Sequence, residues 1–312
     1  MIDTTSGPRR VGAIFDRSRP PEQIAEFARA AQESGVDDLW FVEDLRWAGS
    51  VASAATALAA TRTLRVGIGI APAPLRNPAL LAMEIGTLAR LHPGRLVAGL
   101  GHGATGWMRE VGALVPNRLD LLAETTSALR ALLRGEEVTV HGKAIHLDGM
   151  RLVHPPRQAP PVVLGVIGPR SLELSGRVAD GTLVVEGRGP RDLPGIRALI
   201  DRGRAARGEA PDGAAPERTA SESTGHEIIV FCDLVLGDDP AQVQAASAPL
   251  RTDLSSLLGV SEDEVFIASG DAAEVAGHVR SLWDAGADTV VLRPAGDAPI
   301  QSLSRALTAL RA

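Results

Sequence analysis

The sequence predicts an eight-stranded parallel α/β barrel. Three observations carry this prediction. Eight short, almost wholly apolar runs recur along the 312 residues, each is followed by a longer stretch with helical spacing, and several runs end in glycine or a charged side chain. Near-continuous apolar runs are what parallel strands need when both faces are covered, and their alternation with helical patterns marks βαβ units. Two doubly wound domains are the rival architecture, but the one stretch with linker composition, residues 208–226, would leave too short a second half. The whole chain, 1–312, is therefore expected to be one (β/α)8 domain.

Taken in order, the first strand is Val11–Phe15. Pro20 and Pro21 start a helix, because proline suits a first turn whose N–H groups have no partner, and Ile24, Phe27, Ala28 and Ala31 form its apolar stripe. Strand two is Leu39–Val42, followed by an alanine-rich helix over Val51–Ala60. Strand three is Leu64–Ile70, and its helix begins after Pro78 and stops near Pro93–Gly94. Strand four is Leu96–Leu100; a long loop then leads to a fourth helix at Leu119–Leu133. Residues 135–160 break the rhythm with short strands and glycine turns, an insertion after that helix. Strand five at Val162–Val166, a helix at Ser171–Val178, strand six at Thr182–Val185 and a helix at Leu193–Arg207 restore it. The Ala-, Gly-, Pro-, Ser- and Glu-rich stretch that follows reads as an extended surface loop. Strand seven, Ile228–Leu236, precedes a helical region through Leu258. A helix at Ala273–Trp283, strand eight at Thr289–Leu292 and a closing helix at Ile300–Leu310 complete the barrel.

Composition narrows the function. Net charge is −6 with no basic run, which argues against nucleic-acid binding. No segment approaches the roughly 20 apolar residues of a membrane helix, and MIDTTSGPRR lacks the apolar core of a signal peptide. One cysteine, Cys232, excludes an internal disulfide and a thiolate-rich metal site, and the histidines lack metal spacing. A cytoplasmic enzyme acting on a small molecule, without metal, is the expectation. The chain contains no tyrosine, so proton chemistry falls to His, carboxylates, Lys, Ser/Thr or a cofactor.

In a barrel of this class the active site lies at the C-terminal ends of the strands. That rule gathers Asp16, Glu43, Asp44, Gly69-Ile70-Ala71, Gly101-His102-Gly103, Ile167-Gly168, Glu186 and Arg293. Strands three and four carry glycine at 67, 69, 99, 101 and 103, where another backbone or a flat ligand must come close, unless the glycines simply make room for packing inside the barrel. GLGHGATG matches a dinucleotide GxGxxG, yet the next helix is expected about a dozen residues later and no acid ends a following strand, so that reading is set aside.

Three stretches resemble the bacterial luciferase-like flavin and deazaflavin oxidoreductases: LRVGIGIAPAPLRNP, LARLHPGRLVAGLGHG and VVLGVIGPRSLELSGRVADGTLV. The third-strand and Gly-Pro signatures are closest to the methylene-tetrahydromethanopterin reductase branch. The resemblance implies a flat ring across the barrel mouth against Gly69, Ile70, Ala71, Gly101, His102 and Gly103. It also implies cofactor phosphate held at Val166-Ile167-Gly168-Pro169-Arg170, where a helix N-terminus offers N–H donors and a positive dipole end. Glu43-Asp44 stands where many deazaflavin-dependent members carry an acid–histidine pair. Asp44 is thus a proton-donor candidate, or a cap or partner of Arg46. Ala104 and Thr105 replace a familiar acidic or amide residue, which makes His102 the better candidate for catalysis or cofactor contact. Trp47 and Trp107 suit a flat or apolar substrate at the mouth, Trp40 suits the core, and Asp180 ties a helix end to the next strand.

The implied activity is hydride transfer between coenzyme F420 and a small organic substrate, with Asp44, His102 and Glu43 as catalytic candidates. An FMN-dependent monooxygenase is the alternative, and a non-catalytic cofactor-binding relative a third. The resemblance also implies a homodimer.

Overall fold

A computed structural model describes residues 9–207 and 225–312. The predicted strands all form: β1 (Arg10–Phe15), β2 (Asp38–Phe41), β3 (Arg65–Pro72), β4 (Leu96–Gly101), β7 (Val162–Gly165), β8 (Gly181–Val184), β9 (Glu227–Leu236) and β11 (Thr289–Pro294). A hairpin, β5 (Val138–His141) and β6 (His146–Met150), and a short strand β10 (Ala268–Gly270) are additional. The sheet order is β10-β9-β11-β1-β2-β3-β4-β7-β8, and β8 also pairs with β9, which closes the hydrogen-bonding circuit of a (β/α)8 barrel. The helices are α1 (Ile24–Ser34), α2 (Ser50–Ala60), α3 (Pro78–Leu91), α4 (Thr105–Glu110), α5 (Arg118–Leu133), α6 (Pro169–Val178), α7 (Leu193–Arg207), α8 (Pro240–Leu258), α9 (Ala272–Asp284) and α10 (Pro299–Arg311). Among the described residues no helix is long and apolar enough to cross a membrane.

Sequence and structure part company in a few places. The long loop expected before Leu119 holds α4, which begins at Thr105, so the dozen-residue gap used against the GxGxxG match does not exist. A helix this short has too little periodicity to stand out from a loop. The strand β10 is also too short to show a pattern. The extended loop expected before β9 falls on residues 208–224, outside the described residues.

The chain packs as two compact units. Of the described residues, the first comprises 9–69, 183–194 and 228–312. Its core follows from strand register. Trp40 on β2 is paired with Gly67 on β3, is wholly buried, and meets Phe231 of β9 edge-on at 5.4 Å. A Cβ on Gly67 would overlap the Trp40 indole, and one on Gly69 would lie 2.7 Å from Phe231 and 2.9 Å from Leu183. Gly67 and Gly69 therefore make room for packing, and neither faces an open ligand slot. Ile24, Phe27, Ala28 and Ala31 are the buried face of α1, as their spacing predicts. At the opposite end of the strands, buried Asp38 accepts from Arg65 Nε at 2.9 Å and Nη2 at 2.6 Å, joining the starts of β2 and β3.

Of the described residues, the second unit comprises 70–182, 195–207 and 225–227. Asn77, the middle residue of the Arg-Asn-Pro turn, caps α3 by accepting from the Ala79 N–H at 2.9 Å. Glu124 of α5 accepts the N–H groups of Lys143, Ala144 and Ile145 at 3.0, 2.9 and 3.0 Å, which fixes the turn between β5 and β6. Asp180 accepts from Val162 N at 2.9 Å and is ion-paired with Arg130, so it ties α5 to the start of β7. The helix end it secures is that of α5; α6, the helix just before it in the chain, is not involved. Gly101 and Gly165 both lie against Ile70, whose side chain occupies the space a Cβ on either would need.

Candidate active site

In the first unit, Asp16 follows β1, Glu43 and Asp44 follow β2, Glu186 follows β8, and Asp233 and Arg293 sit within β9 and β11. Asp233 and Arg293 are register partners on neighbouring strands, so their side chains leave the sheet on the same face. Arg293 Nη2 lies 2.6 Å from Glu186 Oε1, and Nη1 lies 4.0 Å from Asp16 Oδ2. The topological rule thus brings Asp16, Glu186 and Arg293 into one cluster. It missed Asp233, a residue inside the run IIVFCDLVL. Its signal was there: it is the one charged residue in the otherwise apolar run Ile228–Leu236, where burying a carboxyl carries a desolvation cost.

Electrostatics separates these acids. Burial pushes Asp16 up, but hydrogen bonds from Ser18 and the charges of Arg293 and Arg17 outweigh it and leave the carboxyl below its ordinary range. Asp233 goes the other way. Burial, reinforced by the negative charge of Glu186, pushes it up to about 7 against the pull of Arg293. It is therefore an acid that holds or releases a proton near neutrality. Burial also pushes the Cys232 thiol up, so this residue offers no thiolate. Arg293 is held charged by Glu186, Asp233, Asp16 and Asp44 despite its burial.

Asp44 forms an ion pair with Arg17. Arg17 in turn lies 5.9 Å from the ring centre of half-exposed Trp47. Glu43 accepts a hydrogen bond from Ser50, the first residue of α2. Asp44 is thus tied to the loop after β1, and Glu43 to the start of α2.

In the second unit, His102 follows β4 and its Nε2 lies 3.0 Å from Ser171 Oγ in the first turn of α6. Arg118, at the start of α5, donates to the Gly103 carbonyl and to Thr105 Oγ1, both at 2.8 Å. Burial, with the nearby Arg118 charge, drives His102 down to about 4, outweighing a hydrogen bond to the Arg118 backbone. At neutral pH the ring is uncharged, which suits a hydrogen-bonding contact better than proton donation. In an NMR titration His102 is expected to change protonation near pH 4; a midpoint at the ordinary histidine value would refute this. The sign follows from linkage. Between pH 6.5 and about 4 the unfolded chain binds the proton and the native protein does not, so His102 lowers stability as pH falls through that window.

The turn Val166-Ile167-Gly168-Pro169-Arg170 enters α6 with Gly168 as its cap residue and no side-chain cap. Residues 167–170 are exposed, and nothing lies within 4 Å of where a Cβ of Gly168 would stand. This is an open helix amino end flanked by a cation, with the geometry of an anion site. Ile70, seated against Gly101 and Gly165, stays half-buried, while Ala71 is buried. Trp107 lies on α4, and Trp40 is core as expected.

A family model described as luciferase-like monooxygenase matches residues 4–288. The chain is 33% identical over 174 residues to a 5,10-methylenetetrahydromethanopterin reductase of Methanolobus tindarius, covering 55% of this chain and 53% of that protein. It is 30% identical over 202 residues to an F420-dependent glucose-6-phosphate dehydrogenase of Kineococcus radiotolerans, covering 61% and 60%. The aligned region thus spans little more than half the length of these relatives. A solved F420-dependent secondary alcohol dehydrogenase, in complex with an F420-acetone adduct, superposes with a TM-score of 0.81 over 98% of this chain and 100% of that one, at 21% identity. That likeness establishes the fold.

Proposed function

The chain belongs to the luciferase-like monooxygenase family, and from that premise we propose that it is an oxidoreductase using coenzyme F420 to exchange a hydride with a small organic substrate. The observation that carries the reading is the similarity in sequence to a relative named as F420-dependent and to a methylenetetrahydromethanopterin reductase.

The residues present fit such a cofactor at two points. The open amino end of α6, with Gly168 uncapped and Arg170 exposed, suits an anionic tail. Half-buried Ile70, backed by Gly101 and Gly165, offers an apolar surface to a flat ring. Val166–Arg170 would hold the tail, and Ile70, Ala71, Gly103 and His102 the ring region, with neutral His102 as a hydrogen-bonding partner for a polar edge. Gly69 and Gly101 would contribute through backbone alone, because protein side chains fill the space beside their Cα atoms. When bound, the deazaflavin supplies the hydride-transferring carbon; the protein supplies placement, exclusion of water and a proton. Asp44 and Glu43, tied to Arg17 and Ser50, would shape the mouth. The working form would be a cytoplasmic homodimer acting on a small molecule.

Fluorescence titration tests the cofactor. F420 is expected to bind the full chain, and Arg170→Ala to weaken binding by about tenfold, the size of one charge-assisted contact. Tight binding of FMN with no response to F420 would overturn the reading in favour of a flavin-dependent monooxygenase. Binding of F420 with no turnover on any substrate would favour a non-catalytic relative.

A further inference from the structure

We infer that a cavity of about 250 Å³ beside β10 is a further binding site, shaped for a small organic anion: a carboxylate or phosphate head on a compact apolar body. The inference goes beyond the hydride-transfer reading and does not depend on it.

The cavity lies within the first compact unit. Its walls are Pro190 and Arg191 of the loop after β8, Arg251 of α8, Phe266 just before β10, Ser269 within it and His278 of α9. None of these residues belongs to the proposed cofactor site. The frame stands without a ligand. Phe266 N–H donates to the Gly187 carbonyl at 2.9 Å, and Arg251 Nη1 donates to the Val265 carbonyl at 2.7 Å. Val265 and Ile267, on either side of Phe266, are buried in one cluster with Val235 and Leu254. A Cβ on Gly189 would stand 2.7 Å from that of Phe266, so only glycine lets the loop pass this close. A site whose walls are already in place loses little on ordering them around a ligand.

The sign of the ligand follows from which polar groups are left unused. The carboxylates along the cavity are largely spent inside the protein. Asp192 accepts from the Gly189 N–H at 2.8 Å and from Arg188 at 3.2 Å. Glu264 accepts from the Ser261 N–H and hydroxyl at 3.0 and 2.7 Å. Asp263 is left at the exposed rim. The donors are not spent. Arg191 makes no hydrogen bond to another described residue and acts on Asp263 and Glu264 by charge alone. Arg251 makes only the one to Val265, the Ser269 hydroxyl makes none, and His278 Nδ1 is buried without a partner. Burial, with the charge of Arg251, holds His278 below its ordinary value against the pull of Glu274, so the neutral ring can donate or accept. Two guanidinium groups with unspent N–H groups, a hydroxyl and an imidazole nitrogen together suit a negatively charged, acceptor-rich head.

The rest of the wall is apolar. Phe266 is half-buried and meets the His278 ring edge-on at 5.5 Å, and Pro190 lines the same space. A bare inorganic ion would leave these surfaces against water, whereas a small ring carrying the head would cover them.

Calorimetric titration of the full chain without cofactor tests the site with benzoate, phenyl phosphate, inorganic phosphate and benzylamine. Benzoate or phenyl phosphate is expected to bind with a Kd of about 1 mM or lower. It should also shift the His278 ring signals in NMR, which His278→Gln identifies. Arg251→Met should weaken binding about tenfold, and Arg191→Met at least about threefold. Phe266→Ala should bring the ring-bearing anions toward the affinity of inorganic phosphate. Arg191 has no hydrogen bond to lose, so Arg191→Met should keep the wild-type urea midpoint while losing affinity. The inference is overturned if neither organic anion binds at about 20 mM, or if inorganic phosphate binds as tightly as phenyl phosphate. It is equally overturned if benzylamine binds in their place, or if both arginine variants bind like the wild type. Every arm is read without F420, so failure here leaves the hydride-transfer reading standing, and failure of F420 to bind leaves this site standing.

Discussion

Gly67→Ala should cost this protein about 3 kcal/mol of stability or more, the upper range for overpacking a core. The added methyl would overlap the Trp40 indole. Trp40 cannot withdraw, because it is wholly buried, sits beside Gly67 in the β2–β3 register and is braced by Phe231 at 5.4 Å. Relief requires β2 and β3 to shift against each other, and a close-packed interior resists such movement. Urea unfolding measures the loss. Trp40→Leu, destabilising alone through the cavity it leaves, should partly rescue Gly67→Ala in a double-mutant cycle. Were Gly67 kept for a ligand instead, the substitution would weaken cofactor binding and leave the unfolding midpoint within about 0.5 kcal/mol of the wild type.

The second large effect belongs to Arg293→Met. This substitution keeps the length of the side chain and removes the guanidinium, leaving Glu186, Asp233 and Asp16 without the cation that faces them. Breaking a buried pair by deleting one partner costs about 3–5 kcal/mol, because the stranded charge has neither water nor counter-ion. The loss should depend on pH with a definite sign. Without Arg293 the Asp233 carboxyl, already raised by burial, rises further above its unfolded value, so the native state binds a proton that the unfolded state does not. Destabilisation is then greatest above neutrality and relieved as the pH falls toward about 5, where Asp233 becomes protonated. Urea midpoints at pH about 5 and about 8 check this. An equal loss at both would mean that Arg293 acts through packing alone.

Much of the fold was legible because its determinants are local. The stripe of Ile24, Phe27, Ala28 and Ala31 is the buried face of α1, and each apolar run became a strand of the barrel circuit. Even the strand-end acids Asp16 and Glu186 and the cation Arg293 could be placed, since the class of fold dictates where strand ends gather. What sequence could not rank was their use. Asp44, read either as a proton donor or as a cap or partner of Arg46, forms an ion pair with Arg17. His102, read as a candidate for catalysis or for cofactor contact, is held neutral. The glycines of β3, read either as a ligand cradle or as room for packing, accommodate Trp40 and Phe231. Asp233, hidden in a hydrophobic run, drew no attention.

By itself, then, the order of residues determined the alternation of strand and helix, the closure expected of eight such units and the family to which they belong. Periodicity and turn chemistry act between neighbours along the chain and need no folded partner to be read. Only the tertiary structure decided which side of a glycine is filled, which carboxyl meets a guanidinium and which is left with its proton. Those outcomes depend on residues far apart in sequence, such as Gly69 and Phe231, or Asp16 and Arg293. Burial and charge act through space, and no local pattern records the distances over which they do so.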